Sequence, residues 1–405
     1  MKTLSRPLII MMLFIGYAFV YIDKTVIGFA LLPLEKEFGL SATQLGYITG
    51  IFFLSYSLFQ IPAGWLNDRF GYKPMIVLSL SLLGLFAVGF GWLGFSLALL
   101  LAFRFLSGVG HSGYPTSCAK AVVDNFSVDQ RTFAQSVLLS SAGLAMTLGP
   151  VVAVASLNLL GWRHSFVAMG LAVMLIALLM VLVLPTVKPA ARTPQAEDVS
   201  LRNVLKTPLV VLLFIAIFCI NITTYGLMAW LPKFLVQHRG ISVGVSGLIA
   251  GAGGLGIWIS SLSTGWLVGR YMQGREHLVI SFSALLSAVG MWAVYASHSA
   301  WTIGAALFVA NIFVMAAFVT VFTLPMKRLP KQVIGCTMGV INTGGTLGGF
   351  VAPIAMGYLL TLTGSYGAIF AFIVSVMVIA GLVSLPLAEK PLKPQYDSLR
   401  SSDED

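Results

Sequence analysis

An all-α membrane protein with twelve spanning helices in two six-helix bundles is the fold this sequence predicts. Three observations predict it: composition, the recurrence of long apolar runs, and a repeat between the two halves of the chain. Of 405 residues, 58% are hydrophobic and 9% charged, where a soluble domain carries about 25% charged residues. No water-soluble fold of this length could hide so much apolar surface, so lipid must solvate most of it. Apolar segments recur over 7–32, 43–66, 74–93, 96–123, 132–158 and 163–185, and then over 208–237, 243–268, 277–297, 300–324, 333–362 and 365–387. Each is long enough to cross a hydrocarbon core of about 30 Å.

The first run is too long for the apolar stretch of a signal peptide and is expected to be a spanning helix kept in the mature protein. The polar stretch 188–207 contains Pro189 and Pro194 and reads as a cytoplasmic linker between bundles 1–187 and 208–388. The polar segment 389–405 reads as a disordered cytoplasmic tail. Lys and Arg set the orientation. With both termini in the cytoplasm, 17 of them fall in inside segments, while only Lys36, Arg163, Lys233 and Arg239 fall outside. That bias satisfies the positive-inside rule, and it accounts for the net charge of +10 without a nucleic-acid partner. The expected location is the inner (cytoplasmic) membrane.

The halves also repeat. Phe38-Gly39-Leu40-Ser41, Gly46 and Gly50 recur as Arg239-Gly240-Ile241-Ser242, Gly247 and Gly251, each 201 residues later. Gly64-Trp65-Leu66 and Arg69 recur at the same offset as Gly265-Trp266-Leu267 and Arg270. Such repeats build many secondary transporters, with the substrate site where the repeats meet.

Enzymatic classes find no support. No nucleophile–base constellation or metal cluster is present, and Cys118, Cys219 and Cys336 lack the spacing of a metal site or disulfide framework. The glycine-rich stretches follow no strand, so they suit close helix approach better than phosphate binding. No cofactor or metal is expected.

Gly64-Trp65-Leu66-Asn67-Asp68-Arg69-Phe70-Gly71-Tyr72-Lys73 resembles the signature between the second and third helices of the major facilitator superfamily. Arg104-Phe105-Leu106-Ser107-Gly108-Val109-Gly110 resembles its fourth-helix motif, and Gly149-Pro150 with Trp162-Arg163 its fifth-helix region. Within that superfamily the chain is most similar to the anion:cation symporters, through Tyr21-Ile22-Asp23-Lys24, Phe52-Phe53-Leu54-Ser55-Tyr56, Gln60-Ile61-Pro62, Trp230-Leu231-Pro232 and the run Asn342–Gly348. The resemblance implies a proton-coupled carrier of sugar acids or other carboxylates. Two residues depart from the pattern: Lys24 stands where the family has Arg, and His111 where it has Glu.

Ionisable side chains inside a membrane are costly and mark function by default. Asp23 is the one acid within the apolar runs, with Lys24, Arg104 and His111, while Lys120 is expected to reach the interface. The interior is therefore net positive and suits an anionic substrate. Tyr17, Tyr21 and Lys24 share one helix face. Lys24 is the candidate anion anchor, with Tyr17, Tyr21, Tyr56, Gln135 and Asn342 as further substrate contacts. Asp23 is the proton-coupling candidate, and a structural ion pair with Arg104 or Lys24 is the alternative. His111 suits a proton relay or a satisfied neutral imidazole equally. The resemblance implies that Arg104 organises the cavity and a relay, and that Asp68, Arg69 and Lys73 form a gating network on the cytoplasmic side. Gln60, Asn221, Tyr225 and Asn311 are expected to serve helix packing.

Uptake of a small organic anion with protons by alternating access, through a monomeric carrier, is the leading expectation. A proton-coupled drug or metabolite antiporter is the alternative, since Gly149-Pro150 resembles an antiporter motif. A transporter-like receptor is the third, and the short linker and tail give it little room.

Overall fold

The computed structural model describes residues 6–186, 207–329 and 331–388, with the side chains of 68, 128–129, 132–133, 139 and 331–336 excepted. Most of the expected linker, the expected tail, and the side chains of Asp68 and Cys336 lie outside the described residues.

Every regular element among the described residues is helical. They are α1 (Arg6–Phe38), α2 (Ala42–Phe70), α3 (Tyr72–Leu93), α4 (Leu97–Asn125), α5 (Val128–Val183), α6 (Pro208–Lys233), α7 (Val243–Tyr271), α8 (Glu276–Ala296), α9 (Ala300–Arg328), α10 (Lys331–Thr363) and α11 (Tyr366–Ser384). A π-turn, Phe234–His238, continues α6, and the 3-10 turn Leu385–Leu387 follows α11. In hydrocarbon every backbone polar group must be paired within the protein, which a helix does with its own residues. Ten helices among the described residues are long and apolar enough to cross a membrane. The α4 helix is not one of them, because it carries the polar residues of the site described below.

The sequence reading expects twelve helices, and the structure has eleven because α5 runs on through two of the expected spans. A straight helix of its 56 residues would be roughly 84 Å long at 1.5 Å per residue. Its backbone is instead non-helical at Gly161, with φ 70° and ψ 167°. Beside that glycine, Trp162 and Arg163 both donate to Glu37 at the end of α1, each at 2.6 Å. The other reaches of α5 lie at the opposite end of the bundle, where Arg131 donates to the Val123 carbonyl and Tyr72 to the Pro185 carbonyl. The chain thus turns back at Gly161, giving arms 128–160 and 162–183.

The repeat is physical. The six glycines with positive φ form three pairs, Gly39 and Gly240, Gly71 and Gly274, Gly161 and Gly364, separated by 201, 203 and 203 residues. An L-residue in that region is strained, so glycine fixes the turn at each. The caps repeat too: Ser41 accepts from the Gln44 backbone N–H and Ser242 from that of Val245, while Ser96 accepts from Leu99 and Ser299 from Thr302. Each such cap is worth about 1 kcal/mol.

The two halves meet along paired seams. A Cβ on Gly46 would lie 2.4 Å from the Pro353 carbonyl oxygen, and one on Gly247 would lie 3.2 Å from that of Pro150. Thus α2 packs on α10 as α7 packs on α5. The tightest point is Gly254, where a Cβ would sit 2.1 Å from the Met146 carbonyl oxygen. Overpacking of this kind costs about 1–3 kcal/mol. Gly254→Ala is expected to lower the melting temperature in detergent measurably, while Gly265→Ala, with open space around its Cβ, leaves it unchanged or slightly raised.

Apolar side chains such as Leu159, Leu182, Trp92 and Trp301 are exposed on the outer faces, as a lipid-facing surface requires. The end bearing Gly39 and Gly240 is closed by contacts between halves. Lys233 and Glu35 form an ion pair at 2.6 Å, Gln237 donates to the second Glu35 oxygen at 2.7 Å, and the Thr43 and Thr361 hydroxyls meet at 2.9 Å. Within the second half, Trp230 donates to the Pro353 carbonyl at 3.1 Å.

Candidate functional site

Midway along the bundle, Lys24 is 3% exposed and projects from α1 into a ring of aromatic side chains. Its Nζ lies 4.5 Å from the ring centre of Tyr21, 5.1 Å from Tyr56, 5.7 Å from Phe53, 5.8 Å from Tyr225 and 5.9 Å from Phe52. Tyr21 is one helical turn before Lys24, and Phe52, Phe53 and Tyr56 occupy one and a half turns of α2. Tyr225 comes from α6 in the second half, its ring 4.3 Å from that of Phe53. The cage therefore spans the junction of the halves. Among the described residues the Lys24 ammonium makes no hydrogen bond and no ion pair. At these distances cation–π attraction contributes about 0.5–2 kcal/mol per favourable contact.

The nearest acid is engaged elsewhere. Asp23 points from the adjacent face of α1, and its Oδ2 lies 3.1 Å from Arg104 Nη1 of α4. Both side chains are 2% exposed, so the pair is a buried ion pair. Residues one apart on a helix diverge by about 100°, which is why Asp23 can serve Arg104 without neutralising Lys24. The pair is incompletely satisfied, because Asp23 Oδ1 and Arg104 Nε have no hydrogen-bond partner among the described residues. The Arg104 guanidinium lies over the Phe52 ring at 4.6 Å, so one phenyl ring is approached by both cations.

His111, two turns beyond Arg104 on α4, is 1% exposed, with neither ring nitrogen hydrogen-bonded among the described residues. Its imidazole meets Tyr56 at 4.6 Å and Phe52 at 5.3 Å, edge to face in each case. Small residues on α4 make this approach possible: a Cβ on Gly108 would lie 2.2 Å from the Phe52 carbonyl oxygen.

Of the expected substrate contacts, Tyr21 and Tyr56 belong to the cage. Tyr17 extends it by stacking on Tyr21 at 5.6 Å and meeting Tyr114 edge-on at 5.7 Å. Asn342 of α10 reaches the Tyr56 hydroxyl, and one turn beyond it Thr346 donates to Ser57 at 3.0 Å. No contact among the described residues joins Gln135 to the cage. Arg69 and Lys73 stand at the end opposite Glu35, with the Arg69 guanidinium 5.5 Å from the Trp65 and Phe70 rings, and the Asp68 side chain lies outside the described residues.

Sequence reasoning missed three features. Tyr225, assigned to packing, is the second half's ring in the cage, and an aromatic hydroxyl within an apolar run was the available signal. Lys233, placed in a loop, is 3% exposed and bound to Glu35. Asn311, also assigned to packing, lines a cavity of about 60 Å³ on the other flank of α1, with Thr25, Thr224 and the apolar Phe29, Met146 and Leu227.

Long apolar helices with buried, partly unpartnered ionisable groups packed between them are the pattern of a membrane transporter. The chain belongs to the Major Facilitator Superfamily, whose sequence profile matches residues 13–353. It is similar to a Bacillus subtilis protein named "probable galactarate/D-glucarate transporter", with 27% identity over 97% of this chain and 93% of that one. It is also similar to an Acinetobacter baumannii protein named "quinolone resistance transporter", with 29% identity over 92% of this chain and 91% of that one. The crystal structure of a bacterial homologue of the human lysosomal transporter Spinster, described as inward-facing and occupied, superimposes with a TM-score of 0.82 over 94% of this chain and 95% of that one. At 18% identity that likeness concerns the fold.

Proposed function

We propose that this protein carries a small organic anion across the inner membrane by alternating access, coupled to protons, with Lys24 as the anion anchor. The observation that carries this reading is a buried lysine between the two halves with five rings around it and no acidic partner among the described residues. A buried ammonium needs an anion, and a substrate carboxylate supplies it. The name of the Bacillus subtilis relative, a transporter of sugar diacids, supports the substrate class. With α5 counted as two arms, the chain crosses the membrane twelve times, with both termini in the cytoplasm.

On that orientation the closed Glu35 end faces outward, and Lys24, 3% exposed, is shut off from that side in this conformation. Outward opening must break the Glu35–Lys233 pair and the Thr43–Thr361 contact. Lys233→Met is expected to shift the carrier toward the outward-open state. The check is labelling of a cysteine introduced at Thr361, which should be several-fold faster from outside in the Lys233→Met background. Equal rates in both backgrounds would remove the pair from the gate.

Coupling falls to the Asp23–Arg104 pair. Protonation of Asp23 releases Arg104, and the unpartnered His111 nitrogens offer the neighbouring proton or hydrogen-bond site. Both proton and substrate must bind the two states differently to drive the cycle. The test is accumulation of labelled carboxylates in proteoliposomes with and without an inward proton gradient. Gradient-driven accumulation is the expected outcome, and absence of uptake across mono- and dicarboxylates under every gradient would refute it.

The similarity to a quinolone resistance transporter favours one second reading, export of a carboxylate-bearing drug from the same site. Resistance of an expressing strain without anion uptake would select it.

A further inference from the structure

We infer that the cavity on the other flank of α1 is a second subsite of the transport site, one that takes hydroxyl groups of the substrate whose carboxylate Lys24 holds. This deepens the reading of Lys24 as the anion anchor and rests on it.

The repeat relates the two places. The offset of 201 that pairs Gly39 with Gly240 sets Asp23, Phe53 and Tyr56 against Thr224, Gly254 and Ile257. The offset of 203 between Ser96 and Ser299, the matched caps of α4 and α9, sets Arg104 against Leu307. Those four second-half residues all line the cavity. It is therefore the second half's counterpart of the Lys24 site, with Thr and Leu in place of the ion pair and Gly and Ile in place of two rings. Loss of the rings leaves a space of about 60 Å³, and loss of the ion pair leaves it uncharged. One water-sized group needs about 10–15 Å³, so a few such groups fit. The two places also adjoin. Lys24 and Thr25 are consecutive in α1, as are Thr224 and Tyr225 in α6, so each helix gives one residue to the cage and its neighbour to the cavity.

The cavity offers mostly acceptors. Thr25 donates to the Tyr21 carbonyl at 3.2 Å and Thr224 to the Ile220 carbonyl at 3.1 Å. Their protons are committed, and their oxygen lone pairs remain to accept. Pro150 and Pro232 lie inside α5 and α6 and carry no N–H. The carbonyls of Met146 and Met228, four residues before them, therefore lack their helical donor, and both residues line the cavity. Asn311 makes no hydrogen bond among the described residues and adds an amide N–H. A wall of acceptors repels a carboxylate, and the ammonium of Lys24, next to Thr25 in the chain, repels a cation. A hydroxyl meets both conditions. It is neutral, it donates to these oxygens and accepts from Asn311, and the carbon that bears it lies against Phe29 and Leu227.

The test is calorimetric binding of two six-carbon anions, gluconate and hexanoate, to the purified full-length protein and its variants. Thr224→Val keeps the shape of the side chain and removes its oxygen, and Asn311→Leu removes the amide. Each is expected to weaken gluconate roughly ten-fold and to leave hexanoate within about two-fold, the loss of a buried hydrogen bond that only one of the two ligands makes. Lys24→Gln should abolish binding of both anions, with the native elution profile kept in every variant. Equal weakening of gluconate and hexanoate in Thr224→Val and Asn311→Leu would make these residues packing groups and overturn the subsite. Unchanged gluconate affinity in both variants would overturn it too, and would leave Lys24 as the anchor. Gluconate binding that survives Lys24→Gln but falls in Thr224→Val would sink the anchor reading and keep the cavity as a hydroxyl site. If neither anion binds the native protein, the anchor reading fails and this inference with it.

Discussion

Replacing Lys24 with Gln is expected to lower organic-anion transport roughly 100-fold, with little change in the amount of folded protein. The asymmetry follows from what the ammonium touches. In the substrate-free state its partners are the rings of Tyr21, Phe52, Phe53, Tyr56 and Tyr225, which lose little when a neutral amide takes its place. With substrate bound, the partner is a desolvated carboxylate, and truncating one member of such a pair costs about 2–5 kcal/mol, where 1.4 kcal/mol is ten-fold. Lys24→Arg, the residue the resembling family carries, should restore part of the activity. Guanidinium is planar and bidentate while ammonium is a compact point charge, so the restored carrier is expected to rank carboxylates differently. Initial uptake rates in proteoliposomes, set beside melting temperatures of the same preparations, separate loss of binding from loss of fold. A parallel fall in both would make Lys24 a structural residue.

The second large effect falls on the Asp23–Arg104 pair, and there stability should move. Arg104→Gln leaves the Asp23 carboxylate buried without a cation, and breaking a buried pair from one side costs about 3–5 kcal/mol. Thermal unfolding of Arg104→Gln is therefore expected well below that of the native protein. The double change Asp23→Asn with Arg104→Gln should recover most of the loss, because no charge is then left unpaired. Transport separates from stability in this series. If Asp23 is the coupling group, the double variant folds and exchanges substrate across the membrane but no longer accumulates it against its gradient. A double variant that still concentrates substrate under a proton gradient would move coupling away from Asp23.

Much of this architecture was legible in the residues. The offset of 201 residues that relates Gly46 and Gly50 to Gly247 and Gly251 reappears as glycines seated on partner-helix carbonyls at both seams, and that is why the repeat had to keep glycine there. Lys24, Tyr21 and Tyr56 could be picked out because a charge in hydrocarbon is expensive and tyrosines one turn away share its face. The limits are equally physical. Helix spacing tells which face Asp23 occupies but not which cation across the interface meets it, so Arg104 and Lys24 stayed equal candidates until α4 was placed against α1. Tyr225 and Lys233 act across the junction of the halves, where no periodicity along a single helix reports. The turn at Gly161 was legible as a gap between two apolar runs, and the structure shows it as a break in the dihedral angles of an otherwise continuous helix.

The most direct test is a crystal structure with a bromine-labelled carboxylate that the protein transports, located by the anomalous signal of the bromine. The carboxylate is expected within hydrogen-bond distance of Lys24 Nζ, with the bromine between the rings that α2 and α6 contribute. A bromine peak in the cavity lined by Thr25, Thr224 and Asn311, with Lys24 still enclosed by its rings, would contradict the assignment of Lys24 as the anchor.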